Sequence, residues 1–145
     1  MMRKILLLIV LITAAYFSIQ SGEVSVPGLA QPTNGSEQLL EDAFENRRSN
    51  LQVKGQGIVI KILADDLDGS RHQRFIIRLS SGQTLLISHN IDLAPRINKL
   101  KEGDLVMFYG EYEWNSEGGV IHWTHHDPRG SHVDGWLKHG GQIYQ

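Results

Sequence analysis

The chain has no cysteine among its 145 residues. That absence excludes structural disulfides and lipid attachment through a cysteine behind an export signal, so stability has to come from a hydrophobic core. It also lacks an internal repeat, a heptad pattern and a low-complexity tract. Basic charge is scarce: setting aside Arg3 and Lys4 leaves twelve basic residues against sixteen acidic ones, a net charge of −4 with histidine neutral. Bulk charge therefore gives no support for nucleic-acid binding. Nor is any apolar run long enough for a comfortable membrane span of about 20 residues.

What the chain does have begins with Arg3-Lys4 and the apolar run Ile5–Phe17. A short basic region followed by such a run is the pattern of a secretory signal. Residues 1–22 are therefore expected to be a signal peptide or a retained N-terminal anchor, with residues 5–19 sitting in the inner membrane in the second case. Either way the domain is expected to be exported, to the periplasm or the extracellular space, with membrane contact only through this segment. Residues 23–35, with Pro27, Gly28, Pro32 and Gly35, show no apolar period and read as a linker. Residues 36–145 fit one domain, since a single core grows efficiently at about 100–150 residues.

Ser36 is placed to cap a helix running to about Arg48. Leu39, Leu40, Ala43 and Phe44 share a face, and Glu37, Glu41 and Asp42 load the first turns with negative charge. From Gln56 the period becomes two: Ile58, Ile60 and Ile62 alternate with Val59, Lys61 and Leu63, up to the acidic turn Ala64–Gly69. Arg74–Leu79 and Thr84–Ser88 form a hairpin around Ser80-Ser-Gly82. Val106–Trp114 passes through Gly110, and Val120–Thr124 makes a fifth strand. Trp136–His139 and Gln142–Tyr144, around Gly140-Gly141, form a terminal hairpin. The expected fold is all-β with one N-terminal helix: a five-stranded, Greek-key barrel of the oligonucleotide/oligosaccharide-binding (OB) kind plus a C-terminal hairpin. Phe75, Phe108 and Tyr112 are assigned to the core, and Tyr109, Trp114 and Trp123 to a candidate stacking platform.

Two polar groups carry the candidate chemistry. Five of the seven histidines lie at positions 122, 125, 126, 132 and 139, close to Asp127 and Asp134. Imidazole with carboxylate suits a divalent ion such as zinc, so His125, His126, Asp127, His132 and Asp134 are candidate metal ligands. His122 and His126 would stand about 13 Å apart along a continuous strand. A shared ion therefore requires the chain to turn at Asp127–Gly130. The bland alternative is that these histidines are hydrogen-bonded residues that stiffen a loop. The second group joins His72, Arg74, His89, Asn90 and Arg96 with His122 as a candidate ligand-binding set. If positions near 74 and 89 face each other in the hairpin, His72, Arg74 and His89 cluster at one end of the sheet. Asp65, Asp66 and Asp68 lack the later glutamate of a calcium loop and read as a solvated turn.

Several stretches carry a resemblance: Gly69-Ser-Arg-His-Gln-Arg-Phe75, His89-Asn-Ile-Asp-Leu-Ala-Pro-Arg96, Gly110-Glu-Tyr-Glu-Trp-Asn115, His122-Trp-Thr-His-His-Asp-Pro128 and His132-Val-Asp-Gly-Trp136. Through them the chain, from about Val53 to Gln145, resembles a bacterial domain-of-unknown-function family, number 3465. The resemblance implies a small exported barrel and carries no catalytic residue with it.

Three functions are compatible with these residues, and they leave catalysis open. The first is a non-enzymatic domain binding a small ligand at a histidine-rich polar site. The second is a metal-dependent phosphodiester hydrolase that uses His125, His126 and His132 or Asp134 as ligands and Arg74 for charge stabilisation. The third is a module that binds an envelope partner and senses acid through its histidines.

Overall fold

Alternation along the strands closes into a barrel. The computed structural model describes residues 34–145. The expected signal or anchor, and the expected linker apart from its last two residues, lie outside the described residues. Seven strands follow one helix: α1 (Asn34–Glu45), β1 (Leu51–Ile62), β2 (His72–Arg78), β3 (Thr84–Asn90), β4 (Leu105–Glu113), β5 (Val120–His122), β6 (Trp136–His139) and β7 (Gln142–Tyr144). The sheet order is β1-β2-β3-β5-β4-β6-β7, and an additional β1–β4 pairing closes the first five strands. β3 and β5 run parallel and the other pairs are antiparallel. This is the OB arrangement with a terminal hairpin added.

β1 begins five residues before the expected start at Gln56. Its first half pairs with β4, from Leu51 opposite Tyr112 to Ile58 opposite Leu105, and its second half pairs with β2 across a register shift between Val59 and Lys61. Serving two partners requires a bend, and Gly55 and Gly57 permit it: an added Cβ would come 2.6 Å from the Phe108 ring at Gly55 and 2.8 Å from the Arg78 carbonyl oxygen at Gly57. Val59 points into the core while Ile58 and Ile62 are exposed. The conspicuous isoleucines thus mark the outer face of this strand.

The core is built from inward residues of every barrel strand, among them Val59, Phe75, Ile77, Leu85, Ile87, Phe108, Tyr112 and Ile121. α1 starts two residues before Ser36 and covers one end of this core with Leu40 and Ala43, while Leu39 stays exposed. Its Glu37 carboxylate accepts bonds from the Ser80 hydroxyl and the Ser81 N–H at the β2–β3 turn. Trp114 Nε1–H donates to the Phe44 carbonyl, and the Arg47 guanidinium lies over the same indole.

One edge of β4 positions the site. Glu111 pairs with His122 in β5, but Tyr109 pairs with Trp136 in β6. Residues 123–135 are thus an excursion that leaves the edge of β4 and returns to it one step further on. Trp123 makes the exit at a positive φ of 53°. Gly135 closes the neck, its N–H donating to the His125 carbonyl. There a Cβ would meet the Trp123 carbonyl oxygen at 1.9 Å and that of Tyr109 at 2.5 Å.

Candidate functional site

The β2–β3 hairpin pairs His72 with Asn90, Gln73 with His89 and Arg74 with Ser88. This is one residue from a pairing of 74 with 89, and with a side-chain period of two a single step decides the face. His72, Arg74, Ser88 and Asn90 therefore stand outside the barrel, and His89 points in. His89 is fully buried. Its Nε2–H donates to the Pro95 carbonyl and its Nδ1 accepts from the Thr124 hydroxyl, so both nitrogens are satisfied in the neutral ring. Burial, with smaller effects from the charges of His125 and His72, outweighs the Pro95 bond and lowers its pKa to about 4. His89 is a structural tie between β3, the 91–97 turn and the start of the excursion.

Arg74 donates from Nε and Nη2 to the Ala64 carbonyl, and Arg96 makes a two-bonded ion pair with Asp65. Arg71 is likewise bound to Asp92. The arginines of this end thus pin the 63–71 and 91–97 turns to the hairpin. Of the six residues in the ligand-binding set, the structure brings His72, Asn90 and His122 around one pocket of about 280 Å³. Ser88, Leu93, Trp123, His125 and Arg129 complete its lining. The pocket lies on the β2–β3 face, where OB barrels characteristically take their ligands.

Its polar groups are set by local bonds. The Asn90 Oδ1 accepts from the Asp92 N–H, which leaves the amide N–H groups as donors. His72 Nδ1 bonds the Ser70 carbonyl and His125 Nδ1 the His126 carbonyl, so in each ring Nε2 remains. Among the described residues the Arg129 guanidinium is in no ion pair. A larger cleft of about 370 Å³ beside Ile58, Ile60 and Leu105 is mostly apolar, and its one carboxylate, Glu37, is spent on Ser80 and Ser81.

The excursion is held by the remaining candidates. The Asp127 carboxylate accepts from the N–H groups of Arg129, Ser131 and His132 and from the Ser131 hydroxyl. These bonds, that of Arg129 first, depress its pKa far below the carboxylate range. Asp134 accepts from the Asp127 N–H and pairs with His126 Nδ1 at 2.9 Å. His132 faces an acceptor at each ring nitrogen, the Val133 carbonyl at Nδ1 and Glu111 Oε2 at 2.6 Å at Nε2. Burial opposes its charge, but the Glu111 bond and the Val133 carbonyl outweigh it and raise the His132 pKa. Of the five residues expected to share an ion, His126 and Asp134 thus face each other, while His125, Asp127 and His132 face other partners. Among the described residues the one group of three that brings ligand atoms together is Glu111, Glu113 and His122.

Tyr109, Trp114 and Trp123 do not form one platform. Tyr109 packs against Trp136, Trp114 against α1, and Trp123 against His132 and His125. Residue-by-residue reading missed Glu111 and Glu113, as well as Ser88, Leu93 and Arg129. For the two glutamates the signal was present: Glu-Tyr-Glu alternates outward in β4, and a hairpin through Asn115–Gly119 sets it beside His122.

A family model described as a protein of unknown function (DUF3465) matches residues 24–145. The chain belongs to that family. Among curated proteins nothing matches it. The DUF3465 fold in this member is accordingly a closed OB-type barrel whose fifth strand leads into the 123–135 excursion before β6.

Proposed function

We propose that this DUF3465 member is an exported, non-enzymatic binding domain that takes a small anionic ligand, one bearing a phosphate or carboxylate group, in the His72–Asn90–Arg129 pocket. The observation that carries the reading is Arg129: a guanidinium without an ion-pair partner among the described residues, at a concave polar pocket whose other groups include amide and hydroxyl donors and imidazoles. A planar fork of donors suits an oxyanion. About 280 Å³ is near the lower end of ligand pockets, which fits a small molecule rather than a polymer. Export rests on the basic start and the Ile5–Phe17 run.

The test is a two-dimensional amide NMR titration with inorganic phosphate and with acetate, in the presence of a chelator. Saturable shifts at Asn90, Leu93 and Arg129 are expected. Arg129→Ala should weaken binding by about ten- to a hundredfold, the worth of one or two charged hydrogen bonds. Shifts that do not saturate, or an Arg129→Ala variant that binds as tightly, would remove the reading.

A further inference from the structure

β4 and β5 place Glu111 directly opposite His122 and Glu113 opposite Val120, with all four side chains on the outer face of the barrel. Cross-strand and diagonal neighbours on one face are close enough to touch. The Nε2 atom of His122 is buried and makes no hydrogen bond among the described residues. It lies 3.4 Å from Glu111 Oε1 and 3.7 Å from Glu113 Oε1. One ligand atom from each of the three residues lies within 4.8 Å of the other two.

The other imidazole–carboxylate pairs among the described residues show what a hydrogen-bonded pair looks like. His132 meets Glu111 at 2.6 Å, His139 meets Asp104 at 2.7 Å and His126 meets Asp134 at 2.9 Å. These are lengths of charge-assisted hydrogen bonds. Separations of 3.4 and 3.7 Å are too long for that. They are close to the edge of a coordination tetrahedron, since ligand atoms about 2.0–2.2 Å from one ion stand roughly 3.3–3.6 Å from each other. Two carboxylate oxygens gathered about a buried nitrogen without a bridging hydrogen bond form an unbalanced group that a cation would balance.

The geometry points to a mononuclear site for a divalent transition ion of the zinc class, held by His122 Nε2, Glu111 and Glu113. An imidazole in the set selects against calcium and magnesium, which prefer oxygen alone. His132 acts from outside the set: its bond to Glu111 Oε2 leaves Oε1 to the ion and fixes the carboxylate plane, the usual work of an outer partner. Three protein ligands leave a position for water or an incoming anion. His122 also lines the polar pocket, so the ion and that pocket adjoin. The metal site does not depend on the anion reading.

The untagged full-length chain, stripped with chelator and returned to phosphate-free buffer, is titrated with zinc by calorimetry. Elemental analysis then follows gel filtration. One equivalent of zinc per chain is expected, and cobalt in its place should give the visible spectrum of a low-coordinate nitrogen and oxygen site. Glu113→Gln, an isosteric change at a partly exposed residue, should weaken zinc at least about tenfold, and His122→Ala should do so more strongly. His126→Ala should bind as the natural chain does. Absence of stoichiometric uptake, uptake indifferent to Glu113→Gln, or uptake lost instead in His126→Ala would each overturn the site. Glu113→Gln keeps the test decisive if His122→Ala fails to fold. Because the anion titration is done in chelator and this one without phosphate, either result stands without the other.

Discussion

The indole of Trp123 and the imidazole of His132 lie face to face, with ring centroids 4.0 Å apart and planes 6° from parallel. His132 at the same time reaches Glu111 across the edge of β4. The far limb of the excursion is therefore clamped to its near limb by a stack and to the barrel by a charged bond. Trp123, held at a positive φ, would pay for that conformation without the stack to repay it.

His132→Ala should accordingly destabilise the domain by about 1–3 kcal/mol, the lower part of the range reflecting partial solvation of the bond. Urea denaturation measures this. His132→Phe, which retains the stack and loses the Glu111 bond, should fall between the two. A His132→Ala midpoint equal to that of the natural chain would mean that the clamp carries no stability.

Gly135 offers a sharper contrast with a neighbouring glycine. At Gly130 the backbone has a positive φ of 65°, which Gly135 does not, but an added Cβ meets nothing within 4 Å. Gly130→Ala should thus cost only the conformational term, about 1 kcal/mol. Gly135→Ala would drive Cβ into two carbonyl oxygens, and it should cost more than about 2 kcal/mol and disturb the amide signals of Trp123 and His125. Equal costs for the two variants would show that the neck is not as tight as its backbone geometry requires.

Alternation and turn residues made most of this fold legible. The β2–β3 hairpin, Phe75, Phe108 and Tyr112 in the core and the terminal hairpin all follow from local pattern. The start of β1 did not: Leu51-Gln-Val-Lys alternates, but over four residues only, and Gly55 and Gly57 separate it from the isoleucine run, so its place in the strand is set by the pairing with β4. The face of His89 was hidden by a single step of register, which the turn at Leu79–Gln83 sets and no periodicity reveals. The excursion was recognisable as a proline- and glycine-bounded turn. What its histidines face, however, depends on one backbone angle at Trp123 and on the closing of the neck at Gly135, both consequences of tertiary packing.

His89 gives the domain a definite response to acid. Its ring is neutral because both nitrogens are used and no water reaches it, with His72 and His125 as the nearby groups whose charge adds to the penalty. The folded pKa, about 4, lies below the ordinary value of 6.5. Between these values the unfolded chain binds the proton and the folded one does not, so stability rises with pH across this window. The contribution is whole above pH 6.5 and lost as pH falls towards 4. The difference corresponds to at most about 3.5 kcal/mol at roughly 1.4 kcal/mol per pH unit. Urea denaturation should therefore show stability climbing from pH 4.5 to 6.5. Above that range His132, whose pKa is raised against the effect of burial by Glu111 and the Val133 carbonyl, contributes in the opposite sense. His89→Gln should be less stable at pH 7.5 and have a flatter climb. An unchanged slope in that variant would assign the acid response to another group, since His89 could not then be the proton acceptor exposed on unfolding.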